Sequence, residues 1–340
     1  MIEVIRPGLL STIQDFGRLG HAHLGVPEAG AVDRFDLRVA NRLVGNPDGA
    51  AGLEMTEEGA TLRFACDSRV ALCGGAMEVL LDGAPVPMYQ TLAVKAGSEL
   101  ACGRIFTGWR SYLAVAGGID MPVLLGSRSS DTLAGLGPPA LAAGMRLAVG
   151  TPVREEAAYL RSPPEYRRSV RLRTLPGPQQ DWFTPDARLA LRSSVYRVSK
   201  MGDRTGVRLE GQALTRGWEG ELPSMGMVSG ALQVPSSGQP IALLANHGTT
   251  GGYPVIAVVI GADLPRLAQL APGMEVCFMD VSRADALAAL REQEERLVQD
   301  IIPADEGLLA ARALMRLAGT HASLKQAALS DGQRRIRIRK

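Results

Sequence analysis

Aromatic residues, lysines and cysteines are scarce in this chain of 340 residues. Phe, Trp and Tyr together make up 4% of the sequence, and only four of its 37 basic residues are lysine. The four cysteines, at positions 66, 73, 102 and 277, show no C-x-x-C spacing. That pattern is typical of small buried hydrophobic side chains in a reducing compartment.

Long apolar runs and a strong excess of one charge are also missing. No run approaches the about twenty apolar residues that span a membrane, and the opening Met1-Ile-Glu-Val-Ile-Arg6 has a carboxylate where a signal peptide would be apolar. The net charge of +2 gives no argument for nucleic acid, and the basic residues 334–340 are typical of a solvated terminal run. We therefore expect a cytoplasmic protein that binds neither nucleic acid nor membrane.

Several cofactor and catalytic motifs are absent from the sequence. There is no G-x-x-x-x-G-K-[ST] loop for ATP and no G-x-S-x-G nucleophile elbow. The Met-Lys-Met of a biotin attachment site is matched only in half, by Ser199-Lys200-Met201. His21 and His23 would share one face of an extended segment, but no third ligand is near, so we expect no metal site. If the activity needs ATP or biotin, another chain is expected to supply it.

The part of the chain between residues 53 and 115 has closely spaced strand patterns, which favour an antiparallel barrel or sandwich over β-α-β units. The predicted strands are 61–64, 69–73, 77–81, 91–94, 99–103 and 111–115. A second series of strands lies between 169 and 281, after a segment rich in charge and proline around Ser162-Pro-Pro164. We therefore predict an N-terminal β domain of residues 1–162 and a C-terminal β domain of residues 163–282.

Helices are predicted from capping residues and from apolar periodicity. Asp33 resembles an N-cap with Asp36 at the third helical position, before a stripe at 35, 39 and 43. The arginines at 34, 38 and 42 of that helix are expected to be solvated. A short helix is predicted at 262–270. Ser282 and Asp285 form a capping-box-like pair, so residues 283–340 are predicted to be a helical tail with a basic end, interrupted near Gly319.

The stretch from 232 to 260 alternates apolar strand residues with short polar loops. Its polar groups stand at strand ends, where rigidly held loops commonly carry functional groups. Gly251 and Gly252 would allow backbone N–H groups to approach a ligand, because glycine has no Cβ. An ordinary hairpin with glycine turns is the alternative interpretation of the same pattern.

Several motifs in order resemble the biotin-dependent carboxyltransferase/allophanate hydrolase subunit 2 family. The opening matches are Leu9-Leu-Ser-Thr-Ile-Gln-Asp-Phe-Gly-Arg-Leu-Gly20, His23-Leu-Gly-Val-Pro27 and Gly30-Ala-Val-Asp-Arg-Phe35. Later ones are Tyr112-Leu-Ala-Val-Ala-Gly-Gly-Ile-Asp120, Leu125-Gly-Ser-Arg-Ser129, Leu175-Pro-Gly-Pro178, Gln233-Val-Pro235 and Thr249-Thr-Gly-Gly-Tyr-Pro254. The resemblance covers about residues 1–285. The family includes the C-type subunits of 5-oxoprolinases, the Kip-antagonist proteins and part of the urea carboxylase carboxyltransferase domain.

This resemblance implies tandem cyclophilin-like β-barrel domains in a mainly β chain with short helices. It also implies a companion subunit of the allophanate hydrolase subunit 1 or Kip-inhibitor type, often with a third, sugar-hydrolase-like subunit. The implied activity is ATP-dependent opening of 5-oxo-L-proline to glutamate. The chain departs from the family pattern at Asn246-His247, at Val255 and at Asp203-Arg-Thr-Gly206. These departures bear on the choice of substrate.

Amide opening or carboxyl transfer needs a bound anion, donors for an oxyanion and a group that moves a proton. We predict that Arg204 is a carboxylate clamp and that the N–H groups of Gly251 and Gly252 bind the oxyanion. His247 or Asp203 is predicted to move the proton. The alternative for Asp203 and Arg204 is a structural ion pair at a turn, and for His247 a loop residue bound to backbone carbonyls.

A second group of residues is predicted to surround the substrate. Those expected to orient it are Gln239, Thr250 and Tyr253. Those expected to border the pocket or the partner interface are Gln14, Asp15 and Arg18, for which a role in bracing the loop is the alternative.

Three functions follow as hypotheses. The first is a subunit of an ATP-dependent 5-oxoprolinase, with no cofactor on this chain and ATP reaching the site through partner subunits. The second is a subunit of a biotin-dependent carboxyltransferase, or of an allophanate- or urea-type amide enzyme, with carboxybiotin supplied in the same way. The third is a non-catalytic regulator that binds a kinase-inhibitor-like partner.

Overall fold

The structure is a computed structural model that describes residues 1–153, 157–218, 220, 222–305 and 307–315. Most of its regular structure is β, arranged in two barrel-like sheets that follow one another along the chain. The predicted mainly β architecture with two tandem barrel-like sheets and short helices is confirmed. In the predicted helical tail, Arg283–Gln299 and residues 307–315 are helical, with the strand Ile301–Pro303 between them. The domain limits at 162 and 282 stay a prediction.

The first sheet contains ten strands in the N-terminal part of the chain. Its strands are β1 Ile2–Arg6, β2 Leu10–Gln14, β3 Gly52–Thr56, β4 Thr61–Phe64, β5 Ser68–Leu81, β6 Ala84–Pro85, β7 Leu92–Val94, β8 Glu99–Val115, β9 Ile119–Asp120 and β10 Arg146–Val149. Seven of them follow the order β2-β3-β8-β4-β1-β10-β9, and β5 pairs with β6, β7 and β8. The inward residues form one apolar core that includes Leu53, Phe64 and Leu113.

Strands β5 and β8 are longer than predicted. The sequence patterns at 69–73 and 77–81 are one strand, and so are those at 99–103 and 111–115. The β5–β8 register shifts between Gly74 and Ala76 and again further along, as in β-bulges. Gly74 has φ +100°, and a Cβ there would lie 2.5 Å from the Arg110 carbonyl oxygen. The glycines therefore bend continuous strands, where the sequence suggested separate ones.

Helix α1, Arg34–Leu43, lies against this sheet. Its predicted cap is confirmed, because the Asp33 side chain accepts a hydrogen bond from the Asp36 N–H. The prediction that its arginines are all solvated is wrong. Arg38 donates to both carboxylate oxygens of Glu294, at 2.5 and 2.7 Å, and to Asp48 at 3.0 Å. Arg42 also binds Asp48, so this face of the helix contacts another element.

The second sheet is a closed barrel of seven strands. A strand β11 Ala158–Leu160 precedes it. The strands that follow are β12 Ser169–Pro176, β13 Tyr196–Val198, β14 Gly206–Glu210, β15 Met225–Gly226, β16 Ala231–Gln233, β17 Ile241–Leu243, β18 Thr250–Gly251, β19 Val255–Val259 and β20 Glu275–Asp280. The barrel has the strand order β12-β19-β16-β17-β14-β13-β20, and strands β15 and β18 pair outside it.

Two helices accompany this barrel, α2 Pro185–Ser193 and α3 Leu264–Ala268. Helix α2 was not predicted, although Thr184 caps it and Pro185 occupies its first turn, which is a recognised start signal. The helix predicted at 262–270 is shorter than expected and follows a 3-10 turn, Gly261–Asp263. His21 and His23 also lie at a 3-10 turn, Ala22–Leu24, so the extended segment assumed for them is wrong.

Helix α4, Arg283–Gln299, begins with the predicted capping box of Ser282 and Asp285. Leu297 near its end is fully buried among Val39, Leu43 and other apolar residues of the N-terminal half. The chain then forms β21 Ile301–Pro303, which pairs with β11, and residues 307–315 are helical. The break near Gly319 and the basic end lie outside the described residues. Among the residues that the structure describes, no helix combines the length and apolarity needed to cross a membrane.

Candidate functional site

The turn before β14 places Arg204 between the two sheets. The carboxylate of Asp203 accepts from the Thr205 N–H at 2.7 Å and the Gly206 N–H at 3.3 Å, which fixes the turn. The Asn246 N–H donates to the Arg204 carbonyl oxygen at 2.9 Å, so the turn and the loop after β17 are joined through their backbones. Asp203 is exposed and satisfied by its own turn, whereas Arg204 is buried.

The guanidinium of Arg204 forms an ion pair with Glu54 on β3 of the first sheet. It also donates to the Gly30 carbonyl oxygen at 2.5 Å and to Asn246 Oδ1 at 3.1 Å. Only Nε has no hydrogen-bond partner within the described part of the chain. Both side chains are buried, at 7% exposure for Arg204 and 1% for Glu54. The carboxylate that the guanidinium binds is therefore an internal one, supplied by the other domain.

Glu54 lies in the middle of the buried strand β3 and accepts further hydrogen bonds there. Tyr112 donates its hydroxyl at 2.8 Å, Val32 its N–H at 2.9 Å, and the Arg110 guanidinium lies 3.9 Å away. Burial raises the pKa of this carboxyl, but the charges of Arg204 and Arg110 and the two hydrogen bonds outweigh burial, so the pKa is lowered. Glu54 is thus held ionised inside the protein.

A chain of hydrogen bonds extends from this ion pair through Asn246. Its Nδ2 donates to Asp131 Oδ1 at 3.0 Å, on the long loop that follows β9. We call the buried polar residues between the two domains the polar seam; its members are Arg18, Glu54, Asp131, Arg204 and Asn246. The other oxygen of Asp131 has no hydrogen-bond partner among the residues described.

Arg18 is fully buried at the N-terminal end of the polar seam. Its Nη2 donates to the Ser129 carbonyl oxygen, while Nε and Nη1 have no partner in the described ranges. Burial lowers the pKa of the Arg18 guanidinium, and the nearby charges of Asp15 and Asp131 act in the opposite direction. The Oε1 atom of Gln14 is likewise buried and unpartnered within those ranges. Buried polar atoms of this kind are suited to bind the polar groups of a ligand or ordered water.

Asp15 braces the loop that carries these groups. It accepts hydrogen bonds from the Ser127 hydroxyl at 2.6 Å, the Ser129 hydroxyl at 2.5 Å and two backbone N–H groups, of Gly17 and Arg128. Burial raises its pKa, but these four hydrogen bonds lower it further than burial raises it. Direct hydrogen bonds therefore support the alternative role of Gln14, Asp15 and Arg18, which is to brace the loop.

A second tie between the domains is made by Gln269 of the C-terminal barrel. Its Oε1 accepts from the N–H groups of Trp109 and Arg110, and its Nε2 donates to Asp33 Oδ2 and to the Arg110 carbonyl oxygen, all at 2.9–3.0 Å. The pKa of Asp33 is raised, mainly by burial and then by the charge of Asp36. Both polar atoms of the Gln269 amide are thus hydrogen-bonded, to the backbone of β8 and to the N-cap of helix α1.

The glycine loop lies at the outer edge of this arrangement. We use that name for residues 247–253. Thr250, Gly252 and Tyr253 are exposed, and Gly251 pairs with Met225 in the β15–β18 ladder. His247 Nδ1 lies 2.7 Å from the Gly248 carbonyl oxygen. Within the described residues, no hydrogen bond or ion pair joins the glycine loop to the Arg204 guanidinium.

Gln239 stands apart from both groups. Its amide accepts from the Gly211 N–H at 2.9 Å and donates to the Gly211 carbonyl oxygen at 3.1 Å, so both of its functional atoms hold one neighbouring loop. The structure therefore divides the predicted site residues into a buried set and an exposed set. The buried set is Gln14, Asp15, Arg18 and Arg204; the exposed or partly exposed set is Asp203, Gln239, His247, Thr250, Gly251, Gly252 and Tyr253.

Sequence reasoning missed Glu54, Asp131 and Gln269. The available signal for Glu54 was a carboxylate inside the apolar strand Gly52–Thr56, a position that requires a partner charge. No comparable signal marks Gln269. Over the described ranges, no group of three His, Cys, Asp or Glu side chains could hold a metal ion. The expectation of a metal-free site stays a prediction.

Comparisons with known proteins agree with this architecture. The protein-family model of the carboxyltransferase domain, subdomain A and B, matches residues 24–280. The C-type subunit of the Escherichia coli 5-oxoprolinase is 40% identical over 304 residues, which are 88% of this chain and 97% of that protein. The urea amidolyase of Saccharomyces cerevisiae is 30% identical over 327 residues, covering 88% of this chain and 18% of that protein.

A solved structure shows the same fold. The urea carboxylase of Kluyveromyces lactis superposes with a TM-score of 0.81 at 27% identity, over 87% of this chain and 29% of that one. The chain thus matches nearly the whole of the bacterial protein and less than a third of the fungal enzymes.

Proposed function

This chain belongs to the family of the carboxyltransferase domain, subdomain A and B, and we propose that it serves there as the C-type subunit of a 5-oxoprolinase. The observation that carries the proposal is its 40% identity to that subunit of the E. coli enzyme, against 30% to the yeast urea amidolyase. The activity is ATP-dependent hydrolysis of the amide C–N bond of 5-oxo-L-proline, which opens the ring to glutamate. It takes place in a complex with companion subunits.

The division of the site into a buried and an exposed set supports a shared active site. The polar seam holds Asn246 in place from inside, because Arg204 and Asp131 bind the two ends of its amide. The glycine loop begins at the next residue and presents His247, Thr250 and Tyr253 outward. We assign substrate contact to the glycine loop and positioning of that loop to the polar seam. The exposed loop is covered by the companion subunit, which completes the site.

Within that assignment, Gly251 and Gly252 supply N–H groups for the oxyanion that forms when water adds to the ring carbonyl. His247 is placed to move the proton to the leaving nitrogen. Arg204 acts through Asn246 as a positioning residue, because its guanidinium is already bound to Glu54. The ATP that drives the reaction is bound through the partner subunits, and the active site of this chain carries no cofactor of its own.

The test is a reconstituted complex. The chain is co-expressed with its companion subunits, purified, and assayed for glutamate released from 5-oxo-L-proline with and without ATP. We expect turnover only with ATP, and a loss of at least about tenfold for His247→Ala at unchanged complex stability. His23→Ala, an exposed histidine in the loop before α1, is the matched control. A complete, stable complex that releases no glutamate would overturn the proposal.

A second function has one specific observation in its favour. The structural similarity to the K. lactis urea carboxylase is high, with a TM-score of 0.81. On that basis the same glycine loop would serve carboxyl transfer from carboxybiotin to a urea-like acceptor. The reconstituted complex distinguishes the two: bicarbonate-dependent consumption of urea with a biotin carrier, and no lactam opening, would select the carboxyltransferase.

A further inference from the structure

A groove lies on the side of the barrel that helix α4 covers, between that helix, strand β12 and residues 162–167. Its cavity volume is about 710 Å³, which falls within the range of about 300–1,000 Å³ typical of small-molecule sites. Neither the polar seam nor the glycine loop contributes a residue to its lining. The groove is therefore separate from the site assigned above.

Arginine is the dominant charged residue of the groove. The arginines in its lining are Arg167, Arg171, Arg173, Arg266 and Arg296, against the acidic residues Glu165, Glu292 and Asp300. Alternation along β12 explains part of this arrangement. Residues two apart in a strand share a face, so Arg171 and Arg173 both point outward while Leu172 is buried in the barrel.

The arginines of the groove differ in how closely a carboxylate binds them. Arg173 is bound by both oxygens of the buried Asp263, at 2.7 and 3.0 Å. Arg266 reaches the same carboxylate only at 3.8 Å and is 59% exposed. The guanidinium of Arg171 makes no hydrogen bond or ion pair with any residue that the structure describes. Two arginines of one groove are therefore left with donors that no carboxylate of the described chain saturates.

We propose that this groove binds a phosphorylated small molecule, held by Arg171 and Arg266 together. A guanidinium presents a planar fork of N–H donors that matches phosphate oxygens. Two such forks on the wall of one cavity suit a ligand with several phosphate oxygens, such as a di- or triphosphate. Phe35 and Tyr166 in the same lining provide apolar surface for an organic group attached to the phosphates.

The test is isothermal titration of the full-length chain with inorganic triphosphate, ATP, adenosine and citrate at about 50 mM salt, where screening is weak. Triphosphate and ATP are expected to bind with Kd below about 1 mM, and adenosine and citrate at least tenfold more weakly. Equal binding of ATP and triphosphate identifies the phosphates as the recognised group. Tighter binding of ATP adds a contact with the organic part.

The variant Arg171→Ala/Arg266→Ala is expected to weaken triphosphate binding at least tenfold. Its fold should be unaffected, because Arg171 is exposed and Arg266 mostly so; circular dichroism and a thermal melt check this. The control is Arg63→Ala/Arg104→Ala, which removes the same charge from exposed positions of the first sheet. No binding to the wild type, equal binding to both double variants, or citrate binding as tightly as triphosphate would overturn the proposal. None of these outcomes depends on lactam-opening activity.

Discussion

Removing the guanidinium of Arg204 is expected to destabilise the two domains together. In Arg204→Ala the Glu54 carboxylate stays buried with Tyr112 and Val32 as donors, and Arg110, 3.9 Å away, is the positive charge that remains beside it among the residues that the structure describes. Breaking a buried ion pair by deleting one partner costs about 3–5 kcal/mol. The lost hydrogen bonds to Gly30 and Asn246 each add about 1 kcal/mol, and the remaining charge of Arg110 offsets part of the total.

We therefore expect Arg204→Ala to lower the free energy of unfolding by about 3–5 kcal/mol. Because the two domains are expected to unfold together, an unfolding entropy of about 2.1 cal/mol/K per residue makes this a fall of roughly 4–7 °C in Tm. The matched control is Arg208→Ala, an exposed arginine on β14 for which a change within about 0.5 kcal/mol is expected. Urea unfolding followed by tryptophan fluorescence suits the measurement, because Trp109 reports on the first sheet and Trp182 on the barrel.

A double-mutant cycle isolates the ion pair from the other contacts. Glu54→Gln and Arg204→Ala are measured singly and together, and the coupling between them is expected to exceed about 2 kcal/mol. A loss below about 1 kcal/mol for Arg204→Ala, or a coupling near zero, would refute the reasoning. Either result would mean that the buried pair contributes little to holding the domains together.

Three further predictions concern the loops and the tail. Gly17→Ala should lower stability in thermal melts by more than about 3 kcal/mol, and Gly20→Ala by about 1 kcal/mol. Both glycines have positive φ, but a Cβ at Gly17 would lie 2.4 Å from the Glu28 carbonyl oxygen, whereas a Cβ at Gly20 would meet open space. Asp15→Asn should flatten the acid limb of the stability profile measured by urea unfolding. The pKa of Asp15 is lower in the folded protein than in the unfolded chain, where it is about 3.9. The carboxylate therefore stabilises the fold fully above pH about 3.9, and that stabilisation is lost as the pH falls through the pKa of the folded state. Arg38→Met should speed tryptic cleavage within α4, since it removes the two hydrogen bonds to Glu294.

Three results would contradict these expectations. Equal losses for the two glycine variants would show that the loop can move away from the added Cβ. An acid limb as steep for Asp15→Asn as for the wild type would assign that limb to other carboxyls. For Arg38→Met the comparison is Arg34→Met, an exposed arginine of the same helix; equal cleavage rates for both variants would mean that the bond to Glu294 does not hold α4.

Local signals in the sequence predicted the elements that depend on local chemistry. The caps at Asp33 and Ser282 predicted the starts of α1 and α4, since capping involves residues within one turn. The length of β5 was missed because a glycine bulge and a turn look alike in sequence. The Thr184-Pro185 start of α2 is also a local signal, and it was missed. The partners of Arg38 could not be predicted, because Glu294 is separated from it by 256 residues.

The same limit applies to the candidate site. The glycine loop could be read from one stretch of sequence, because glycine and polar residues are concentrated there. The polar seam could not, because its central ion pair joins residues 150 positions apart. An arginine beside an aspartate at 203 and 204 suggested a local pair, whereas the fold supplies the carboxylate from the other domain.

Cutting the chain near residue 162 would place Glu54 and Arg204 on different polypeptides. The N-terminal fragment would keep the buried Glu54 carboxylate with the more distant Arg110 as its positive charge, and the C-terminal fragment would lose the carboxylate partner of Arg204. Such halves should be poorly folded when produced singly and should recover when produced together, as obligate partners. Two barrels that look independent along the sequence would therefore fold and unfold as one unit.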